Sequence, residues 1–198
     1  MIINQFCTLT RIDIFTLRTT PCKNEHGSIY RILAGLFCKN KITFDVCACD
    51  ELDELVLEHY PIAIVINNRP TSHPGEHWTC MFIENRNLPI NFFCSYGVGV
   101  DAYASNFREF IERHGTGAIQ NCVQLQSPNS NVCGHYSIWF LWKRVNGFSV
   151  RNVYSNFSKD YSKNDRLVKE FINNKIHLLN QKCCNKKIHQ NSINFVRN

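Results

Sequence analysis

The sequence lacks three features that would each assign it to a broad class of protein. It has no uninterrupted apolar stretch near the roughly 20 residues that a membrane-spanning helix needs. Its N-terminal segment is broken by Arg11, Asp13 and Arg18, and neither the apolar core nor the cleavage site of a signal peptide is evident. Gly97 and Gly99 lack the third glycine of a dinucleotide-binding loop. We therefore expect a soluble, intracellular protein without a membrane partner or a glycine-rich phosphate loop.

Cysteine is abundant, but its arrangement argues against a disulfide framework. The chain has 11 cysteines, an odd number at scattered spacings, whereas small secreted proteins carry even sets. A reducing compartment fits better, with most thiols acting as small apolar side chains. The closest groupings, Cys47 with Cys49 and Cys183 and Cys184 with His189, lack the paired spacing of structural zinc sites. We expect no metal site.

The net charge of +6 is concentrated at one end of the chain. Residues 159–198 carry 9 Lys and Arg against 3 Asp and Glu, whereas residues 1–158 carry 13 of each kind. A neutral body with a basic end can bind DNA or an acidic partner through non-specific electrostatics. The alternative is a solvated, partly disordered end without a partner.

Apolar runs bounded by proline, asparagine and glycine predict short strands followed by helices. The predicted strands span 61–66, 78–83, 90–94 and, more weakly, 118–125. The predicted helices span 103–114, 136–142 and 165–180. The second helix is apolar almost all round and is therefore expected in the middle of a domain. This order of elements predicts an α+β domain.

A polar, turn-rich loop over 126–132 leads into the buried helix, with Cys133 at the junction. Free backbone N–H groups and the positive end of the helix dipole favour thiolate there, the nucleophilic form of cysteine. The same N–H groups can point at an oxyanion formed beside the sulfur. Gln126 can add an amide N–H from the loop, and Gly134 lets a substrate backbone come close. Cys133 is a candidate nucleophile; the alternative is a buried structural cysteine.

His77 is placed where a polar loop meets the strand over 78–83. Trp78 beside it can pack against the imidazole and shield it from water. A neutral imidazole can take the proton of a thiol and later protonate the leaving amine. The chain has 8 histidines, so the alternative is an exposed loop histidine.

Three segments in combination resemble the adenovirus protease family and its relatives in virus-like DNA transposons of the Polinton/Maverick type. They are His77-Trp78 at the start of a strand, residues 93–97 at the end of a strand, and residues 126–134 opening a buried helix. Any one of them is unspecific, and the specificity lies in their order and spacing.

The resemblance covers about half of the chain. Segments 48–52 and 61–67 are similar to upstream segments of the transposon-borne members, so the match runs over 45–142. Cys133 follows Gln126 by seven positions, a spacing that suits this family better than the related proteases of ubiquitin-like modifiers.

The resemblance implies a fold, an activity and a division of the chain. The fold is shared with the ubiquitin-like-modifier proteases: a central mixed β-sheet flanked by helices, with the nucleophile at the N-terminus of a buried helix. The activity is that of a cysteine endopeptidase that matures viral or capsid proteins, often after small residues such as glycine. Residues 1–158 would form the protease domain, and residues 159–198 a basic C-terminal helix and tail.

The resemblance also implies residue roles and partners. Cys133 is the nucleophile, His77 its base, and Gln126 helps to hold the oxyanion. No cofactor is required, although adenovirus proteases are stimulated by a short viral peptide and by DNA, and similar activation is implied here. We expect a monomer that acts on a protein substrate in the host nucleus, the cytoplasm or the virion.

One position departs from the family pattern. The family carries a carboxylate just before the turn that here spans 95–97, and this sequence has Cys94 there. That carboxylate orients the imidazole and stabilises its protonated form. Asp101 lies past the turn and is not expected to take its place. We therefore expect a Cys–His dyad of reduced activity.

Three alternatives remain open. The first is a catalytically impaired binding module that keeps the fold, which the departure at Cys94 motivates. The second is a protease of ubiquitin-like modifiers, and the third is a nucleic-acid-binding protein that works through residues 159–198.

Overall fold

The computed structural model describes the backbone of residues 23–195 and the side chains of residues 27–181. Its helices and strands, in chain order, are α1 (Lys23–Phe37), β1 (Thr43–Ala48), β2 (Ile62–Asn67), β3 (Trp78–Ile83), β4 (Ile90–Phe93), α2 (Ser105–His114), β5 (Ala118–Gln120), α3 (Cys133–Val145), α4 (Val150–Tyr154) and α5 (Tyr161–Phe195). Short 3-10 helices span Cys49–Glu54 and Val100–Ala102.

The strands form a mixed sheet in the order β1-β2-β3-β4-β5. The two outer pairs, β1 with β2 and β4 with β5, are parallel, and the inner pairs are antiparallel. Helices cover the sheet, so the α+β class and the mixed central sheet predicted from the sequence are confirmed.

Both faces of the central strands are covered, which explains their nearly continuous apolar sequences. Along β2, Ala63 and Val65 pack on one face with α1, α3 and α5, and Ile64 and Ile66 pack on the other with α2. Every residue of β2 and β3 is buried. The sheet lies between the two core layers, and its end carries the residues described below.

Helix α5 is part of the first of these layers. Val168, Ile172, Ile176 and Leu179 recur at helical spacing and lie in the same core cluster as the inner face of α3. The start of the segment predicted as a C-terminal helix and tail is therefore packed against the body of the domain. The cysteine and histidine grouping at 183–189 lies outside the described side chains.

The strands predicted over 61–66, 78–83 and 90–94 correspond to β2, β3 and β4 within one residue at each end. The predicted helices lie within α3 and α5 and overlap α2, and α3 and α5 are longer than predicted. The prediction over 118–125 was wrong beyond Gln120, because Asn121 leaves the strand to bond the backbone of Cys94.

Two elements were not predicted. Helix α1 shows apolar residues at helical spacing, Ile29, Leu33 and Phe37, and that signal could have predicted it. Strand β1 is only half-buried along most of its length and carries Asp45, so its sequence resembles a loop. Within the described residues, no helix combines the length and the apolar character needed to cross a membrane.

Candidate active site

His77 and Cys94 meet at the end of the sheet. Sγ of Cys94 lies 3.4 Å from Nε2 of His77, and the cysteine is fully buried, at 0% exposure. The hydroxyl of Tyr103 donates to the same sulfur at 3.0 Å. The sequence prediction that Cys94 takes the place beside His77 is therefore confirmed.

Two asparagines fix the backbone on either side of this pair. Asn68 accepts the N–H of His77 through Oδ1 at 2.9 Å, and its own N–H donates to the His77 carbonyl at 2.9 Å. Asn121 accepts the Cys94 N–H at 3.1 Å and donates to the Cys94 carbonyl at 2.6 Å. Because these bonds leave each backbone little freedom, the imidazole and the sulfur keep their relative position.

Helix α3 presents Cys133 as its first residue and packs against the start of β3. One turn further on, the hydroxyl of Ser137 donates to the carbonyl of Trp78 at 3.4 Å. A Cβ added at Gly134 would lie 3.6 Å from the Trp78 ring. The first turn of α3 therefore lies against the residue that follows His77.

Tyr96 contacts both His77 and Gln126. Its ring centroid lies 4.8 Å from that of His77, with the planes inclined by 30°. Tyr96 lies in the turn that follows β4, where the Gly97 N–H donates to the Cys94 carbonyl at 2.9 Å. This turn places the phenol ring beside the imidazole.

Gln126 is completely buried and its amide is held at both ends. Its Oε1 accepts the Ser95 hydroxyl at 2.6 Å, and its Nε2 lies 2.7 Å from the Ser130 carbonyl and 3.2 Å from the Tyr96 hydroxyl. The backbone N–H of Gln126 donates to the Ser95 carbonyl at 3.1 Å. Gln126 is thus fixed beside the residues that follow Cys94, in the loop that leads to Cys133.

The start of α5 stabilises this loop from the other side. Asn164 donates to the Leu125 carbonyl at 3.0 Å, and the Tyr136 hydroxyl lies 3.0 Å from both that carbonyl and Asp165 Oδ1. The Ser127 N–H donates to the same carboxylate at 3.4 Å. The predicted C-terminal region therefore supports the site as well as the core.

Burial controls the charge of His77. The side chain is 8% exposed, and loss of solvation lowers the pKa of its imidazole to about 4. The ring is therefore neutral at pH 7 and can accept a proton. Burial also raises the pKa of the Cys80 thiol and of Cys47, so these cysteines stay protonated and unreactive.

Asp101 lies away from the pair, as the sequence predicted. It is exposed and forms an ion pair with Arg108 at 2.8 Å. It cannot supply the negative charge that Cys94 lacks.

An open cleft of about 630 Å³ lies on the Tyr103 side of the pair. Its walls include Asn68, which bonds the His77 backbone, and Glu76, the residue before His77. The residues that line this cleft include neither His77 nor Cys133. Other charged residues at the cleft are Asp50, Asp53, Arg69 and Glu109.

The structure brings His77 and Cys94 into contact, and it sets Gln126 and Ser130, in the loop that leads to Cys133, around Tyr96. The contributions of Tyr96, Tyr103 and Asn121 were missed from the sequence. The sequence does show a tyrosine two residues after Cys94 and asparagines, Asn68 and Asn121, directly after strands. Their hydrogen-bond partners lie far along the chain, so the sequence does not indicate them.

No family model and no curated protein matches this sequence. Thirteen chains of solved structures match it. One is described as the SUMO protease Ulp1 with the catalytic cysteine oxidized to a sulfinic acid. It is 14% identical, the match covers 85% of this chain and 91% of that chain, and the TM-score is 0.49. At that level of similarity no residue role is carried over.

Proposed function

We propose that this protein is a cysteine endopeptidase in which Cys133 is the nucleophile and His77 the base. The observation that carries the proposal is the neutral, buried imidazole of His77 held against Cys94 at 3.4 Å. The ring is fixed on one side by Cys94, and the next residue, Trp78, lies against the first turn of α3, which begins at Cys133. This arrangement suits proton transfer with the thiol of Cys133.

The mechanism uses one of the two tautomers of His77 that the Cys94 contact allows. With its hydrogen on Nε2, the ring donates to the Cys94 sulfur, and the lone pair of Nδ1 is left to take the proton of Cys133. A cysteine can thus orient the imidazole as a carboxylate would. It does not supply a fixed negative charge, and the protonated ring gains no such compensation.

The reaction then follows the usual course of acyl transfer to sulfur. His77 takes the proton of Cys133, the sulfur forms a bond to the carbonyl carbon, and the π electrons move to the oxygen. Collapse of this oxyanion restores the carbonyl and breaks the C–N bond, and the amine leaves with the proton held by His77. Water hydrolyses the thioester and regenerates the thiol.

The test measures the reactivity of each thiol in the full-length protein. Iodoacetamide at pH 7, followed by peptide mass spectrometry, should alkylate Cys133 faster than Cys38 and Cys122, which are exposed. His77→Ala should remove that advantage. Alkylation of Cys133 no faster than that of the two exposed thiols would contradict the proposal.

The substrate is a protein with a small residue such as glycine before the scissile bond. The resemblance to adenovirus proteases favours capsid precursors of a virus or transposon. Cleavage of a fluorogenic peptide ending in Gly-Gly should be lost in Cys133→Ala and kept in Cys122→Ala. Cleavage of a ubiquitin-like modifier extended at its Gly-Gly end, but not of capsid precursors, would favour the modifier protease.

A second candidate is a binding module that keeps the fold without activity. The cysteine at position 94, in place of a carboxylate beside His77, favours it. A wild-type protein that cleaves neither kind of substrate and whose Cys133 is unreactive would support this candidate.

DNA is a candidate activator of the enzyme. Lys163, Arg166 and Lys169 are exposed on α5. The side chains of Lys182, Lys186, Lys187 and Arg197 lie outside the described residues. A polyanion bound there would lie on the helix whose start holds the Gln126 loop.

A further inference from the structure

Tyr96 has two contacts that the proposed mechanism does not use. Its ring packs on the imidazole of His77 with a centroid distance of 4.8 Å. Its hydroxyl oxygen accepts a hydrogen bond from Nε2 of Gln126 at 3.2 Å. The phenol therefore lies between the base and the amide predicted to hold the oxyanion.

The amide of Gln126 has no hydrogen to spare. An NH₂ group has two hydrogens, and they point at the Ser130 carbonyl at 2.7 Å and the Tyr96 hydroxyl at 3.2 Å. Its oxygen accepts the Ser95 hydroxyl at 2.6 Å, which fixes the amide in this orientation. Gln126 can bond an oxyanion directly only by giving up one of these bonds, whereas it can hold another donor in place without any change.

The hydroxyl hydrogen of Tyr96 is only weakly held. Its acceptor is the Ser130 carbonyl at 3.4 Å, whereas O–H···O bonds are usually about 2.7–2.8 Å long. That carbonyl already receives the shorter bond from Gln126. An oxyanion would be a better acceptor, because hydrogen bonds to a charged oxygen are about twice as strong as neutral ones.

The surroundings also keep this hydroxyl protonated. Burial raises the pKa of Tyr96, and the neighbouring Cys133, Asp165 and Cys94 raise it further. Cys133 is thus near enough to influence the phenol electrostatically. A neutral phenol beside the nucleophile can donate a hydrogen bond throughout the neutral pH range.

We propose that the Tyr96 hydroxyl is a catalytic group that donates a hydrogen bond to the oxyanion formed when Cys133 attacks. Gln126 and Ser130 are positioning residues that hold the phenol. This proposal rests on the proposed protease function. The hydrogen stays on the phenol throughout: the S–C bond forms, the carbonyl π electrons move to oxygen, and the Tyr96 O–H turns from Ser130 to that oxygen.

The test compares Tyr96→Phe with the wild-type full chain. This change keeps the ring on His77 and removes only the hydroxyl. Two probes are used: a peptide aldehyde ending in Gly-Gly, whose adduct with the thiol places an oxygen at the oxyanion position, and iodoacetamide, whose reaction forms no oxyanion. Tyr161→Phe, at an exposed tyrosine, is the matched control.

We expect Tyr96→Phe to weaken aldehyde binding and to lower kcat by about 100-fold, the usual cost of losing one oxyanion donor. KM should stay within about twofold, because the bond forms only in the transition state. The rate of Cys133 alkylation by iodoacetamide should not change.

Two results would overturn the proposal. One is unchanged aldehyde binding and kcat in Tyr96→Phe; the other is a fall in alkylation as large as the fall in aldehyde affinity, which would indicate a merely structural role. A wild-type protein that binds no aldehyde would end the protease proposal itself.

A second variant covers the case in which Tyr96→Phe does not fold. Site-specific 3-fluorotyrosine at position 96 keeps the hydroxyl and makes it a stronger donor. It should tighten aldehyde binding and leave iodoacetamide alkylation unchanged. Unchanged aldehyde affinity would count against the proposal.

Discussion

The sulfur of Cys94 and Nε2 of His77 lie 3.4 Å apart, and both side chains are buried. The sulfur also accepts the Tyr103 hydroxyl at 3.0 Å. A thiol side chain thus occupies the position at which a carboxylate would stabilise a protonated ring. The pKa of His77 is accordingly lowered to about 4 by burial, without any opposing charge.

The first prediction is that Cys94→Asp raises turnover. A carboxylate beside Nε2 would raise the pKa of His77 from about 4 toward its ordinary range. Protonation of His77 would then cost less during transfer of the thiol proton. NMR titration of the imidazole and kcat for the Gly-Gly peptide are the two measurements.

Cys94→Asn is the matched control, because it has the shape of aspartate without the charge. It should leave the pKa of His77 low and should not raise kcat. Equal rates for the two variants, both folded, would show that the charge at position 94 does not limit the reaction.

The positions of Cys94 and β2 to β4 could be predicted from the sequence for different reasons. The strands are buried on both faces, so each one is a continuous apolar run whose length and ends mark the strand in the sequence. Cys94 could be placed because the adenovirus protease family, which the sequence resembles, carries a carboxylate just before the turn that here spans 95–97. Local pattern thus located the strands, and the resemblance located Cys94.

The hydrogen bonds around Tyr96 could not be predicted. Gln126 reaches the Tyr96 hydroxyl across 30 residues of sequence, and Asn121 reaches Cys94 across 27. Such contacts depend on loop conformations that composition does not specify. The role of α5 was missed for the same reason, because Asn164 and Asp165 bond a loop almost 40 residues away.

The second prediction concerns acid stability. The pKa of His77 is about 4 in the folded chain, below its ordinary value of 6.5. Between pH 6.5 and pH 4 the unfolded chain binds a proton that the folded chain does not, so the free energy of unfolding falls as the pH falls. The loss amounts to at most about 3 kcal/mol.

Urea unfolding at pH 7, 5.5 and 4.5 measures this effect. His77→Gln should reduce the slope over that range, whereas His73→Gln, at an exposed loop histidine, should leave it unchanged. His114 also has a lowered pKa, through burial and then Arg113, so the comparison is between variants. A slope in His77→Gln equal to that of the wild type would contradict the prediction.

The third prediction compares two effects of replacing a glycine that has positive φ: backbone strain, and overlap of the added Cβ with neighbouring atoms. Gly97 has φ +69, and an added Cβ would lie 2.4 Å from the backbone carbon of Val123. Gly147 has φ +81 with nothing within 4 Å of such a Cβ. Both substitutions by alanine incur about 1–2 kcal/mol of backbone strain, but only Gly97→Ala adds an overlap with backbone.

Gly97→Ala should therefore lose more unfolding free energy than Gly147→Ala, by about 1–3 kcal/mol. Because the turn must shift, it should also move Tyr96 and reduce kcat, which Gly147→Ala should not do. Equal losses of unfolding free energy in the two variants would mean that the backbone near Val123 moves aside without a measurable cost.

The last prediction separates the structural part of α5 from its charge. Deleting residues 159–198 would remove four core side chains and the bonds to the Gln126 loop. Each buried aliphatic side chain stabilises a fold by about 1.5–3 kcal/mol, so the truncated chain should unfold. Its loss of DNA affinity would then say nothing about the basic surface.

Substituting exposed charges avoids this difficulty. Replacing Lys163, Arg166 and Lys169 together by glutamine should leave urea unfolding within about 0.5 kcal/mol of the wild type. If DNA binds α5, its affinity for a duplex should fall, and the slope of log K against log salt should drop by up to about 3. Lys39→Gln with Lys41→Gln, at exposed lysines before β1, is the control and should change neither quantity. Equal salt slopes for the two sets, measured by fluorescence anisotropy, would mean that DNA does not bind this face of α5.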